Sequence, residues 1–90
     1  MVQITSKAIE FIGLPRQSLG DFFQRLNVNG EPLTMHVTLE ALHQTNPTIP
    51  AGAYHELFEA GFERFAAILE TKILTGNYQD DKVIITTYDL

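Results

Sequence analysis

Between Pro50 and Gly76 runs one pattern long enough to dictate an architecture. Tyr54, Leu57, Phe58, Gly61, Phe65, Ile68 and Leu69 recur at helical spacing, and at about 100° per residue they gather on one face. Glu56, Glu59, Glu63 and Glu70 fall within a wedge of roughly 60° on the opposite face. The spacing predicts a helix from about Ala51 to Leu74, with Pro50 as its start signal and Gly76 as its stop. A stripe this rich in aromatic rings has to be covered, and the partner that fits it is a sheet.

Strands are therefore sought on either side of that helix. Leu33, Met35 and Val37 alternate with Thr34, His36 and Thr38, which predicts a half-buried strand from Leu33 to Val37. Thr38 then caps a short helical turn, Leu39 to Gln44, and Thr45 to Pro50 reads as a loop. The run Lys82-Val83-Ile84-Ile85-Thr86-Thr87-Tyr88 is β-branched on both faces and predicts a final strand, central in the sheet or at an interface. At the other end, Val2 and Ile4, then Ile9 and Phe11, suit one or two short strands ending at Gly13 and Pro15.

The segment from Ser18 to Leu26 fits two templates. Leu19, Phe22, Phe23 and Leu26 stand at i, i+3, i+4 and i+7, and Ser18 with Asp21 resembles a capping box, so a short helix fits. Phe22, Leu26 and Val28 also fit a strand entering a hairpin at Asn29-Gly30, whose residues accept the positive φ of a tight turn. The helix is the expectation, because Pro32 sits badly beside a two-residue hairpin unless it lies on an edge. The expected fold is α+β: a mainly antiparallel sheet of three to five strands, covered on one face by one long helix, with one or two short helices.

Composition narrows the function. At 90 residues with 44% hydrophobic positions, residues 1–90 are expected to form a single compact domain with a thin core, which a second copy could complete. Eleven Asp and Glu against six Lys and Arg give a net charge of −5, and six dispersed cations cannot build the stripe a nucleic acid needs. The absence of cysteine excludes disulfide scaffolds, thiolate metal sites and cysteine nucleophiles together. No stretch approaches membrane-spanning length, so a cytoplasmic protein without membrane contact is the expectation.

Residues able to do chemistry are few. Glu40 and His43 form Glu-x-x-His, the spacing used in carboxylate-bridged di-iron bundles, but that chemistry needs a second such pair and two further glutamates on facing helices. This chain offers a single helical turn there plus His55 and Glu59 on another helix, so a solvated polar face accounts for Glu40, His43 and His55, and no metal or cofactor is expected. His36 falls on the polar side of its strand. No Ser or Thr sits in a nucleophile elbow, the six glycines build no phosphate loop, and Asp80-Asp81 reads as a turn.

The acidic wedge is the most organised polar feature. Any amphipathic surface helix places charge opposite its core, yet Glu56, Glu59, Glu63 and Glu70 also make a rigid anionic ridge able to dock a basic surface. Phe62 and Ile73 lie at the edge of the apolar face, where a subunit or partner contact would form, with Phe62 the candidate apolar anchor. The expectation is a non-enzymatic protein-interaction or regulatory module whose partner is another protein or a second copy in a homodimer. The alternative is a small-ligand, metal-binding or catalytic domain with a site between subunits, using His36, Glu40, His43 or His55.

From Leu33 onward, the order of strand, Thr38-Leu39-Glu40-Ala41-Leu42, loop, long helix with Phe58, Phe62-Glu63-Arg64 and Ile68, and closing run Val83 to Leu90 resembles a small bacterial family. It is the domain-of-unknown-function family numbered fourteen eighty-eight, and the likeness covers about the last two-thirds of the chain. The resemblance implies a small α+β fold; it brings no known activity and transfers no functional residue.

Overall fold

A computed structural model describes residues 9–50 and 52–90. Its elements run β1 (Ile9–Ser18), β2 (Asp21–Val28), β3 (Glu31–Val37), α1 (Leu39–Thr45), α2 (Tyr54–Leu74) and β4 (Lys82–Ile85), closed by a 3-10 turn over Thr87–Asp89. The strands form one sheet in the order β1-β2-β3-β4, antiparallel in its first two pairings and parallel in the last. This is the expected α+β architecture. Among the described residues, no helix is long and apolar enough to cross a membrane.

Local chemistry explains the meander. Leu19-Gly20 and Asn29-Gly30 join the strands with φ values of 54°, 90°, 52° and 86°. Positive φ at both central residues is the type I′ geometry, whose twist matches that of the strands it connects. Asp80-Asp81, at 53° and 60°, makes the same kind of turn, with Gln79 and Lys82 exchanging backbone hydrogen bonds of 3.2 and 3.0 Å. Asp80-Asp81 is thus a turn, as its sequence suggests.

The Ser18–Leu26 helix does not form: the segment is the β1–β2 turn followed by most of β2, which is the competing strand reading. Phe22, Gln24, Leu26 and Val28 all face the core, so the alternation is complete once Gln24 is admitted as an inward residue. Pro32 is tolerated because β4 pairs only with Thr34 to Val37, leaving that end of β3 open on its far side. β1 also continues past Gly13 and Pro15 instead of ending there, through a register shift between Ile12 and Arg16. Pairing with β2 on both sides of the irregularity holds it as one strand. The expected strand through Val2 and Ile4, and the expected places of Ala51 and of the Tyr54 side chain, lie outside what the structure describes.

The core lies between one face of the sheet and α2. Leu33, Met35 and Val37 of β3, with Val83 and Ile85 of β4, join the inward residues of β2 against Leu57, Phe58, Phe65, Leu69 and Ile73. Phe22 and Phe58 stack at 5.0 Å between centroids. Each such side chain contributes about 1.5–3 kcal/mol through its burial. Gly61 makes room for the Phe65 ring and for α1: a Cβ there would stand 2.7 Å from the Phe65 ring and 3.1 Å from Thr45 of α1. Ile73, expected at an outer edge, is buried in this layer.

The last strand is shorter than expected and lies at an edge. β4 ends at Ile85, because the Thr86 side chain accepts the Tyr88 N–H and the Asp89 carboxylate accepts the Thr86 N–H, a capping box that turns the chain. Lys72 of α2 reaches the same carboxylate at 3.0 Å. Partial burial pushes the Asp89 carboxyl up, but the Thr86 N–H and the Lys72 ammonium outweigh it and hold the group below its ordinary range.

The other face of the sheet has a different character. Cross-strand pairing aligns Arg16, Phe23, His36 and Ile84 in one row and Ile12, Arg25, Thr34 and Lys82 in the next. Arg16, Ile12, Arg25, Lys82 and Ile84 are exposed there.

Candidate functional site

The acidic ridge forms as its spacing requires. Glu56, Glu59 and Glu63 are exposed on α2 and Glu70 is half-buried. Among the described residues the ion pairs are His36–Asp21 and Lys72–Asp89, so none of the four glutamates is neutralised by a described cation. Exposed Ala60 and Ala67 lie beside them on the helix and keep the ridge low in relief.

Phe62 is half-buried and sits at one wall of a groove of about 390 Å³ between α2 and β1, lined by Phe11, Pro15, Gln24, Phe58, Glu59 and Phe62. Its ring stands edge-on to Phe11 at 5.1 Å and to Phe58 at 5.7 Å. Edge-on contact of this kind is worth about 0.5–1.5 kcal/mol beyond the area it buries, so the three rings make a firm floor. Glu59 and Phe62, one turn apart, are thus brought to the same groove, whereas Glu56, Glu63 and Glu70 lie outside it along the ridge.

Phe11, Pro15 and Gln24 are the members that sequence reasoning missed. Gln24 is only 4% exposed, and its Nε2 donates to the carbonyls of Ile12, Gly13 and Arg25 at 3.1, 3.2 and 3.0 Å. An amide nitrogen has two hydrogens, so one of these bonds is shared. The clamp holds the irregular part of β1 against β2 and sets where Phe11 and Pro15 stand. The available signals were a polar residue at an inward strand position and a Gly-x-Pro interruption, which marks a bulge when the strand resumes beyond it.

The histidines and Glu40 do not converge. Glu40 and His43 are exposed in the first and last turns of α1, and His55 is exposed in the first turn of α2 with its ring edge-on to Phe22 at 5.3 Å. Among the described residues, no three His, Asp or Glu side chains are grouped to hold a metal ion. His36 is engaged on the open sheet face: Nε2 lies 2.8 Å from Asp21 Oδ2, and the ring stacks on Phe23 at 4.3 Å. Asp21 Oδ1 accepts the Leu39 N–H at 2.9 Å, while His36 Nδ1 is buried without a partner.

A larger hollow of about 700 Å³ lies beside β4, with Lys72, Asn77, Tyr78, Lys82 and Ile84 among its walls. Its lining is mainly polar, and among the described residues no buried unpaired group belongs to it. The smaller groove is the stronger candidate, because apolar walls with one charged residue at the rim are what an anchoring side chain needs. Comparison of the chain with family models, with curated proteins and with solved structures gives no significant match.

Proposed function

We propose that the protein is a non-enzymatic interaction module that holds a basic, apolar-tipped segment of a protein partner. The observation behind this reading is the shared position of Glu59 and Phe62 at one groove, with Glu56 and Glu63 continuing the negative charge on neighbouring turns of α2. An aromatic or aliphatic side chain would fill the space over Phe11, Phe58 and Phe62, and flanking Lys or Arg would face the ridge. Charge would guide the encounter and the anchor would slow dissociation.

Membership of the resembled family of unknown function is part of the same proposal. It is supported by the order of β3, α1, α2 and β4.

Selection from a randomised peptide display library tests the function. Enrichment of peptides with a large apolar residue flanked by Lys or Arg is expected, lost on Glu59→Lys and on Phe62→Ala while the fold is retained. Enrichment with no basic preference, or binding indifferent to both substitutions, would overturn the reading.

A further inference from the structure

The open face of the sheet gathers three of the chain's six Lys and Arg residues, Arg16, Arg25 and Lys82, around exposed Ile12 and Ile84. Among the described residues none of these cations is ion-paired. Glu10 and Asp81 border this patch with no ion pair among the described residues, and Asp21, one row beyond Phe23 and His36, is held by His36 and by the Leu39 N–H. On the far side of the molecule, across the sheet and α2, stands a ridge of glutamates equally without ion partners among the described residues.

We propose that the open sheet face docks the acidic ridge of a second copy, head to tail. The proposal rests on the reading of the ridge as a binding surface and names its occupant. Spacing supports it. Arg25 and Lys82 stand in one cross-strand row two strands apart, about 9.6 Å at ordinary strand spacing. Glu56 and Glu63 are seven residues apart on α2, about 10.5 Å along the axis. A helix laid across the strands therefore meets both cations with both carboxylates.

Other occupants fit less well. Two sheet faces packed symmetrically would oppose Arg16, Arg25 and Lys82 to their own copies. A nucleobase would need a free aromatic face, but Phe23 and His36 are stacked on each other with 26° between their planes. The ridge and the sheet face are different surfaces, so the contact is heterologous and each added copy presents both again.

Sedimentation velocity at about 20 mM salt, where charges act over roughly 20 Å, tests this with two variants. One is Glu56→Lys/Glu63→Lys and the other Arg25→Glu/Lys82→Glu, both confined to exposed positions and checked for native helical circular dichroism and melting. The native chain is expected to at least double its weight-average mass with rising concentration, and each variant alone to remain monomeric. An equimolar mixture of the two is expected to recover association, because each ridge then meets a sheet face of opposite sign. Arg25→Gln/Lys82→Gln should also lose association. A native chain that stays monomeric, a reversed variant that associates as the native chain does, or a mixture that fails to recover would each overturn the proposal. A monomeric native chain that still selects basic peptides sinks this inference alone. Association without any peptide selection sinks the groove reading instead.

Discussion

Asp21 joins two elements through its two oxygens: Oδ2 meets His36 Nε2 at 2.8 Å on β3, and Oδ1 takes the Leu39 N–H at 2.9 Å where α1 begins. A carboxylate only accepts, so in the neutral ring the hydrogen resides on Nε2 and the buried Nδ1 is bare. Asp21→Asn keeps the Leu39 bond but offers Nε2 an N–H, which drives the hydrogen to Nδ1, where no acceptor waits. Nitrogen chemical shifts are expected to report the Nε2–H tautomer in the native protein and Nδ1–H in the variant. Stability should fall by about 1–3 kcal/mol in urea titration.

Leu19 is fully exposed with φ 54°, a conformation that suits Asn or Gly far better than Leu. Leu19→Asn turns the β1–β2 connection into an Asn-Gly type I′ turn at no cost in packing. It is expected to stabilise the protein by about 1 kcal/mol and raise Tm by about 4–8 °C. An unchanged or lower melting temperature would mean that the turn is not strained.

Gly61→Ala sets two effects against each other. Alanine favours a helix by about 1 kcal/mol over glycine, but its Cβ would stand 2.7 Å from the ring of fully buried Phe65. Overpacking of this kind costs about 1–3 kcal/mol, and Thr45 on the other side limits the retreat of α2. A net loss of about 1 kcal/mol is expected by chemical denaturation, and a gain would show that the ring has room to move.

Removing the Gln24 clamp separates the groove from the rest of the sheet. In Gln24→Leu the carbonyls of Ile12 and Gly13 lose their side-chain donor, which is expected to cost about 1 kcal/mol. Amide exchange should quicken over Gly13 to Arg16 while β2 and β3 stay protected. Uniform exchange across the sheet would show that the clamp does not hold β1 locally.

Acid should unlatch the C-terminal turn. The Asp89 carboxyl titrates below its ordinary value in the folded chain, so the unfolded chain takes up its proton first as pH falls. Its stabilising effect is complete above about pH 5 and disappears as pH drops below about 4 and through the folded value. Asp89→Asn is expected to cost about 1 kcal/mol at neutral pH, with the difference from the native chain closing in acid. A constant difference from neutral to strongly acidic pH would exclude the ionised carboxylate as the cause.

Legibility followed the range of the interactions involved. α2 and its ridge could be read because a helix is periodic within itself, and Thr38 announced α1 through a local cap. β2 was hidden because Leu19, Phe22, Phe23 and Leu26 satisfy a helical spacing while polar Gln24 breaks the alternation of Phe22, Leu26 and Val28. The end of β4 was masked by Thr86 and Thr87, β-branched residues that the Asp89 capping box bends out of the strand. The groove was half legible: Glu59 and Phe62 lie on the helix that could be read, while Phe11 and Pro15 reach it only through pairing between β1 and β2.

The change from antiparallel to parallel pairing within the sheet has a kinetic consequence. β1, β2 and β3 are neighbours in sequence joined by two-residue turns, and hairpins of this kind close in microseconds. β4 reaches β3 only after α1, α2 and the Asp80-Asp81 turn have spanned the gap, so its docking bears the largest loop-closure entropy in the chain. The three-stranded meander is thereby favoured as the nucleus, with β4 the last strand to be secured.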